Sequence, residues 1–370
     1  MDNDQVNLDQ FDSWLNDDSE FAALVVRQWL EPVEGKESII FPPTYAKPER
    51  TRNEDWLGYN IDRFDDGSSV CQIDSVGSQA NRMEPIFKRE RYRGLVPQIT
   101  IKAGEREINL LDAGHRAADA IVRFSNLESD LEEAFKQLNA GNAGPMAKLA
   151  PTSLVFGAWD SRGTQVKMPR IVRSVIRAFN ARTLHRSAQY IPAVDYVKEK
   201  LIDEPIKNPD RDRISEEGLS YVPASWTPGG VQVLGDIRRD ASLNLSALRT
   251  LADETPGNTL GLRRYILGLA LVSFMAPQET FLREGCQLTL DHERPTEWQL
   301  IRYDGVRDPF VLTHADALMY ACEAANGFEI GPDKIAEFDS KKCKEALKKS
   351  KDELKKSRST STPITEEQVG

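Results

Sequence analysis

Between Pro169 and Phe179 the chain reads PRIVRSVIRAF, and this run constrains the fold more than any other. Proline is at home in the first turn of a helix, where its missing N–H would have no partner anyway. At about 100° per residue, Arg170, Arg173 and Arg177 fall within about one sixth of the circumference. Ile171, Val172, Val175, Ile176 and Phe179 cover the other side. The spacing predicts a helix opened by Pro169, with one face in a core and the other a row of guanidiniums. Lys167 stands just upstream, and Arg182, His185 and Arg186 follow. The seven bases from Arg162 to Arg186 have no acid among them. Arginine pairs with phosphate in a bidentate fork, so an un-neutralised row of this kind suits a phosphate backbone.

Net charge alone argues the other way, at −10 for 370 residues. The charge is segregated, however. Residues 1–20 hold seven acids and no Lys or Arg, so residues 1–19 read as an acidic, flexible, solvated tail. Local patches, not the total, decide whether a polyanion binds. With 40% hydrophobic and 29% charged residues, the composition is that of a globular protein. The longest apolar run, Tyr265 to Pro277, is too short to span a bilayer and reads as a buried helix. The acidic start is unlike a signal peptide, which predicts a cytoplasmic protein. Cys71, Cys286, Cys322 and Cys343 are far apart in sequence, so neither a zinc ribbon nor a redox pair is written here.

Strand and helix patterns alternate along the chain. A short helix is predicted at Glu20–Leu30 and a short strand at Ser38–Phe41. Then come a strand at Ser69–Asp74 and a helix over Val76–Lys88 that Pro85 should end or kink. Val96–Lys102 and Glu105–Leu111 read as a hairpin. Two helices follow, Ala113–Phe124 and Leu127–Leu138, with Asp112 and Asn126 as N-caps. Ser153–Trp159 and Thr164–Met168 read as a hairpin around Asp160–Gly163. Residues 203–230 are polar and rich in Pro and Gly, the profile of a protruding loop. Strands at Val231–Leu234, Gln287–Asp291 and Trp298–Tyr303 and helices at Leu260–Met275 and His314–Ala325 complete residues 20–335. A lysine-rich helix over 336–358 and a disordered tail at 359–370 close the chain. Mixed elements with antiparallel pairs and no regular βαβ repeat indicate an α+β fold.

Two further segments bear polar clusters. In DSVGSQANRMEP (74–85) a strand runs into a helix start, where free N–H groups favour anions and Gly77, Ser78, Gln79, Asn81 and Arg82 add close backbone approach and donors. An ordinary capped helix explains the same residues. In LLDAGHRAADAIVRFS (110–125), Asp112, His115 and Asp119 share a predicted helix face. They could hold a metal for a nuclease, or serve as a cap, a packed side chain and a partner for Arg116. No second histidine at metal-ligand spacing and no nucleophile elbow accompanies them. The residues therefore name no catalytic group, metal or cofactor.

These segments, with LAPTSLVFGAWDSRG (149–163), TQVKMPRIVRSVIRAF (164–179) and SIIFPPTY (38–45), resemble the CRISPR-associated RAMP backbone subunit of type I-G effector complexes (formerly I-U), the "Cas seven" family. The likeness runs over residues 38–195. It implies an RRM-like (ferredoxin-like) antiparallel-sheet palm enlarged by helical insertions and a thumb hairpin, for which 203–230 is the candidate. It also implies a non-catalytic subunit that polymerises along the CRISPR RNA and presents it to target DNA. The implied partners are neighbouring copies, a large subunit, a fused end-binding and RNA-processing subunit, and a recruited helicase–nuclease. Guide contacts map onto Gly77, Ser78, Gln79, Asn81 and Arg82, and onto Arg162, Lys167, Arg170, Arg173 and Arg177. Two other readings stay open: a metal-dependent nuclease using Asp112, His115 and Asp119, and a protein-interaction scaffold whose arginines meet an acidic partner.

Overall fold

The computed structural model describes residues 8–52, 56, 58–204 and 207–348. Its strands, in chain order, begin with β1 (Phe21–Pro32), β2 (Ile61–Arg63), β3 (Ser69–Asp74), β4 (Ile99–Ala103) and β5 (Arg106–Asn109). Next come β6 (Val172–Phe179), β7 (Ala181–Tyr190), β8 (Val222–Val233), β9 (Ile237–Asn244) and β10 (Phe281–Arg283). The last are β11 (Cys286–Leu290), β12 (Glu297–Arg302), β13 (Arg307–Pro309) and β14 (Lys334–Glu337). The architecture is mixed α+β around a large, curled antiparallel sheet. That sheet has nine strands in the order β10-β11-β1-β9-β6-β3-β2, with β12 and β13 branching from β1. A small sheet, β14-β4-β5, and the separate ladder β7-β8 complete the topology.

The segment expected to be the arginine helix is instead the strand β6, continued after a turn by β7. Its apolar residues satisfy two periods at once. Val172, Ser174, Ile176 and Ala178 are buried on one face, as period two requires. β-Branched Val172, Val175 and Ile176 fit a pleated surface, and pairing with β3 on one edge and β9 on the other satisfies the backbone. Asn180, at φ +52°, turns the chain into β7. Likewise Glu20–Leu30, expected as a helix, belongs to β1, where Leu24 and Val26 point inward and Arg27 outward. It pairs with β9 along one edge and with β12 and β11 along the other.

Helices cover the inner face of the main sheet. Val76–Met83 forms as expected, and the chain tightens to a 3-10 turn over Glu84–Lys88 at Pro85. Pro256–Met275 is the long buried helix. It crosses His314–Phe328 so closely that a Cβ on Gly268 would lie 2.8 Å from the Ala321 Cα. The hairpin Ile99–Ala103 and Arg106–Asn109 matches its sequence signal.

Residues 113–124 do not form one helix: 3-10 turns lead to a single short helical turn, Ala120–Arg123, capped by Asp119 rather than Asp112. Arg116 sits at φ +55° and turns inward, which ends any continuous helix there. Asn126 accepts from the Glu337 N–H and does not cap Glu128–Asn139. Pro151–Phe156 is helical where a strand was expected, and Gly157 at φ +76° terminates it. The expected hairpin survives as the bridge between Trp159 and Lys167.

Residues 8–15, placed by sequence in a solvated tail, are docked. Phe11, Trp14 and Leu15 are buried. Arg264 pairs with Asp12 (2.5 Å) and with Asp9, while Arg263 pairs with Asp17 at 2.7 Å. The acidity thus answers two arginines of the long helix. Residues 340–348 are helical, within the expected lysine-rich helix, but the first residues of the expected 336–358 span are not: Ala336 and Glu337 end β14 and Phe338 bridges to Ser125. Residues 349–370, which hold the rest of that span and the tail at 359–370, lie outside the described residues. The protrusion expected at 203–230 begins earlier and ends later. β7 and β8 pair from Ala181↔Val233 out to Tyr190↔Val222, with Asn208–Glu216 helical in the tip. Gly229 lets β8 pass the His185 backbone, which a Cβ would meet at 2.6 Å.

Candidate nucleic-acid interface

Strand parity decides which arginines share a surface. Arg173, Val175, Arg177 and Phe179 project from the face of β6 opposite the helices. Their cross-strand partners on β9 are Ser242 for Arg173, Asp240 for Val175 and Arg238 for Arg177. On β1, Arg27 lies opposite Asp240. Asp240 is already claimed: Arg238 Nε approaches it to 2.9 Å and Arg27 Nε to 3.4 Å, and Arg27 also reaches Glu297 at 3.6 Å. Arg173 and Arg177 therefore have no hydrogen bond or ion pair with any described residue. Arg177 also faces Arg238, a like-charge pairing that costs stability unless an anion lies across it. Arg238 turns to the ring of Phe179, 4.6 Å from its centroid.

Arg170 leaves the sheet before β6 begins and lies beside Gly157, where a Cβ would stand 2.9 Å from its Cγ. Burial, followed by the charges of Arg116 and Arg173, lowers the Arg170 pKa below the usual arginine range. These three guanidiniums are thus neighbours. Arg116 is itself buried, with Nε 2.6 Å from Glu84 Oε2, and it donates to the Gly157 carbonyl (3.2 Å) and to Asn81 Oδ1 (3.0 Å). Burial raises Glu84 to about 7 even with Arg116 alongside. Asn81, Arg116, Arg170 and Arg173 form one polar, cationic seam that runs from the helix Val76–Met83 past Gly157 to the start of β6.

The rest of 77–82 is engaged structurally. Ser75 Oγ caps the helix by accepting from Ser78 N–H at 3.2 Å. Gly77 and Ser78 occupy its first turn. Gln79 is buried, donating to Asp74 Oδ2 (2.6 Å) and accepting from Ser174 Oγ (2.8 Å). Arg82 gives Nε to Asp74 (3.1 Å) and Nη2 to the Leu282 carbonyl (2.8 Å). A carboxylate already sits at this helix start, so it offers a phosphate less than the sequence implied. Beneath the arginine face, fully buried Arg239 donates to Ser174 Oγ (2.9 Å) and Gln28 Oε1 (2.6 Å). Burial without a carboxylate brings its pKa down to about 10. Asp74, Gln79, Ser174, Arg239 and Gln28 so tie helix, β6, β9 and β1 into one frame.

Arg162 and Lys167 lie on the loop that follows Gly157. Both are exposed, and neither has a hydrogen bond or ion pair with a described residue. Sequence reasoning missed Arg116, Arg238 and Arg239, because their roles depend on pairings with distant segments. Asp112, His115 and Asp119 do not share a helix. Asp112 holds Lys88 Nζ at 2.5 Å, while Asp119 accepts from the His115 and Ile121 N–H groups. No cluster of three metal-ligating side chains occurs among the described residues, nor is any described helix long and apolar enough to cross a membrane.

Fold and site together define an α+β protein whose curled antiparallel sheet carries, on its outer face, Arg173 and Arg177 without a partner among the described residues beside the paired Arg27 and Arg238. Residues 24–183, less than half of the chain, match the family model described as CRISPR-associated protein GSU0053. Over that segment the chain is similar to a CRISPR-associated family. The matched segment runs from β1 into β7 and includes every arginine of the seam. No curated protein matches the chain.

Proposed function

We propose that this chain is a non-catalytic, CRISPR RNA-binding backbone subunit of a type I-G effector complex, which lines up in copies along the guide and presents it to target DNA. The observation that carries the reading is Arg173 and Arg177 on the outer face of β6 with Arg170 at its corner, none of them paired with a described residue, while Asp240 on the adjoining strand is shared by two other arginines. Backbone contacts of this kind hold any sequence, as a subunit serving every guide must. The family likeness supports CRISPR partners, among which we place neighbouring copies, the large subunit, the fused end-binding and processing subunit, and the recruited helicase–nuclease. In this reading the curled sheet with its inner helices is the RRM-like palm, and the ladder β7-β8 with its tip is the thumb.

The test is RNA binding by the full chain across a salt series. An unstructured single strand should bind with an affinity that falls steeply as salt rises, because each neutralised phosphate releases counterions. Replacing Arg170, Arg173 and Arg177 by alanine should reduce the slope of log K against log salt by about 2, at roughly 0.7 per contact. At 0.1 M salt that corresponds to a loss of about 100-fold. An unchanged slope in a folded triple variant removes the arginine face from the mechanism. Cleavage of labelled RNA in magnesium or manganese would overturn the non-catalytic assignment.

A further inference from the structure

We propose that Trp159 is a stacking platform for an unpaired nucleobase of the strand held by the arginine seam; this rests on the phosphate-binding reading above. Trp159 is 57% exposed, which places most of a large apolar ring in water. Nothing about its mounting is loose. The Asp160 carboxylate accepts from Gly163 N–H (3.0 Å), Thr164 N–H (2.6 Å) and Thr164 Oγ1 (2.9 Å). Backbone bonds from Asp160 to Val166, Gln165 to Asp160 and Met168 to Ala158 close the same loop. The braced loop therefore holds the ring outward at the cost of its burial, and a pre-ordered aromatic loses little entropy when a ligand stacks on it.

Charge selects the ligand. Lys167 is the bridge partner of Trp159, and its Nζ lies 5.8 Å from the ring centroid. Arg162 is three residues away and pairs with no described residue. Asp160, the only acid between Trp159 and Arg186, is spent on the loop's own N–H groups. An exposed aromatic ring with a lysine beside it and an arginine on the same loop is an arrangement that suits single-stranded nucleic acid, a nucleobase stacking on the ring and phosphates meeting the cationic side chains. Gly157, two residues back, lies so close to Arg170 that a Cβ there would stand 2.9 Å from its Cγ. The loop bearing the ring therefore starts beside that arginine, and two residues span at most about 7 Å of chain. A protein partner would more often meet such a surface with acids around a deeper apolar patch.

The experiment uses full-length protein stripped of RNA and two probes of equal length: an oligouridylate and the corresponding ribose–phosphate oligomer without bases. Trp159→Ala should weaken oligouridylate binding roughly 10-fold, leave the salt slope unchanged and leave the base-free probe unaffected. Trp159→Phe should restore most of the loss. Equal oligouridylate affinity in Trp159→Ala and wild type overturns the proposal. So does an equal loss with both probes, which would mean a damaged loop. Loss of self-association in nuclease-treated Trp159→Ala protein, with RNA affinity intact, assigns the ring to a protein contact instead. Failure of the phosphate reading is separate, since it shows as binding to both probes that ignores the arginine triple variant.

Discussion

Glu84→Gln separates two opposing effects at the buried pair under the seam. Glu84 and Arg116 side chains are only 2% and 4% exposed, and their contact is 2.6 Å. Breaking a buried ion pair ordinarily costs about 3–5 kcal/mol, because the partner charge is stranded. Here desolvation outweighs the attraction, since the Glu84 pKa is raised from 4.5 to about 7. The native state then keeps a proton that the unfolded chain has already released. Its stabilising effect is complete below pH 4.5 and is lost as pH rises to and through about 7. The full swing is about 3 kcal/mol, of which about 2 kcal/mol falls between pH 5.5 and 8. Glutamine resembles the protonated acid in shape and cannot ionise, so the variant lacks this dependence. Urea unfolding of both proteins across that window should show Glu84→Gln gaining on the wild type by about 2 kcal/mol as pH rises. A gap that stays flat, or that widens against the variant, would refute the argument and show that Arg116 keeps the carboxylate ionised.

Two other outcomes follow from the same frame. Ser174→Ala removes the oxygen that accepts from buried Arg239 and donates to Gln79; it should destabilise the fold by about 1–3 kcal/mol in urea titration, with the seam exposed and chemically intact. Gly157→Ala meets both a φ of +76° and a Cβ position 3.0 Å from the Met168 carbonyl oxygen. It should cost about 1–3 kcal/mol and weaken RNA binding along with stability, since Arg170 must shift. Wild-type stability in the glycine variant would mean that this corner is softer than its packing implies.

Where one period and one partner sufficed, the sequence could be read correctly. Ser69–Asp74 alternates cleanly, the hairpin at 99–109 has its turn in Gly104, and Pro256–Met275 is apolar over helix length. Misreadings arose where local signal was compatible with two states and a distant strand chose between them. FAALVVRQWLEP fits a helix until β9 and β12 claim its two edges. LDAGHRAADA fits one until Glu84 draws Arg116 inward to φ +55°. The docked acidic segment was hidden for the same reason: Asp9 and Asp12 look solvated in sequence, yet their partner Arg264 is about 250 residues away.

The arginines survived a wrong secondary structure because of arithmetic. Arg173 and Arg177 are four apart, a separation that keeps two residues on one side of a helix and, being even, on one face of a strand. Arg170 is an odd number from both, so a strand removes it from their row. The fold recovers it at Gly157, next to Arg116, and replaces it on the sheet with Arg238 from β9. Sequence therefore located the positive charge while misplacing its shape. A helix would have offered phosphates a line along one axis. The observed arrangement is instead a patch crossing two strands and running to the Arg116 corner. A strand of RNA neutralising both Arg173 and Arg177 while reaching Arg170 must bend there. The loop bearing Trp159 leaves from that same corner.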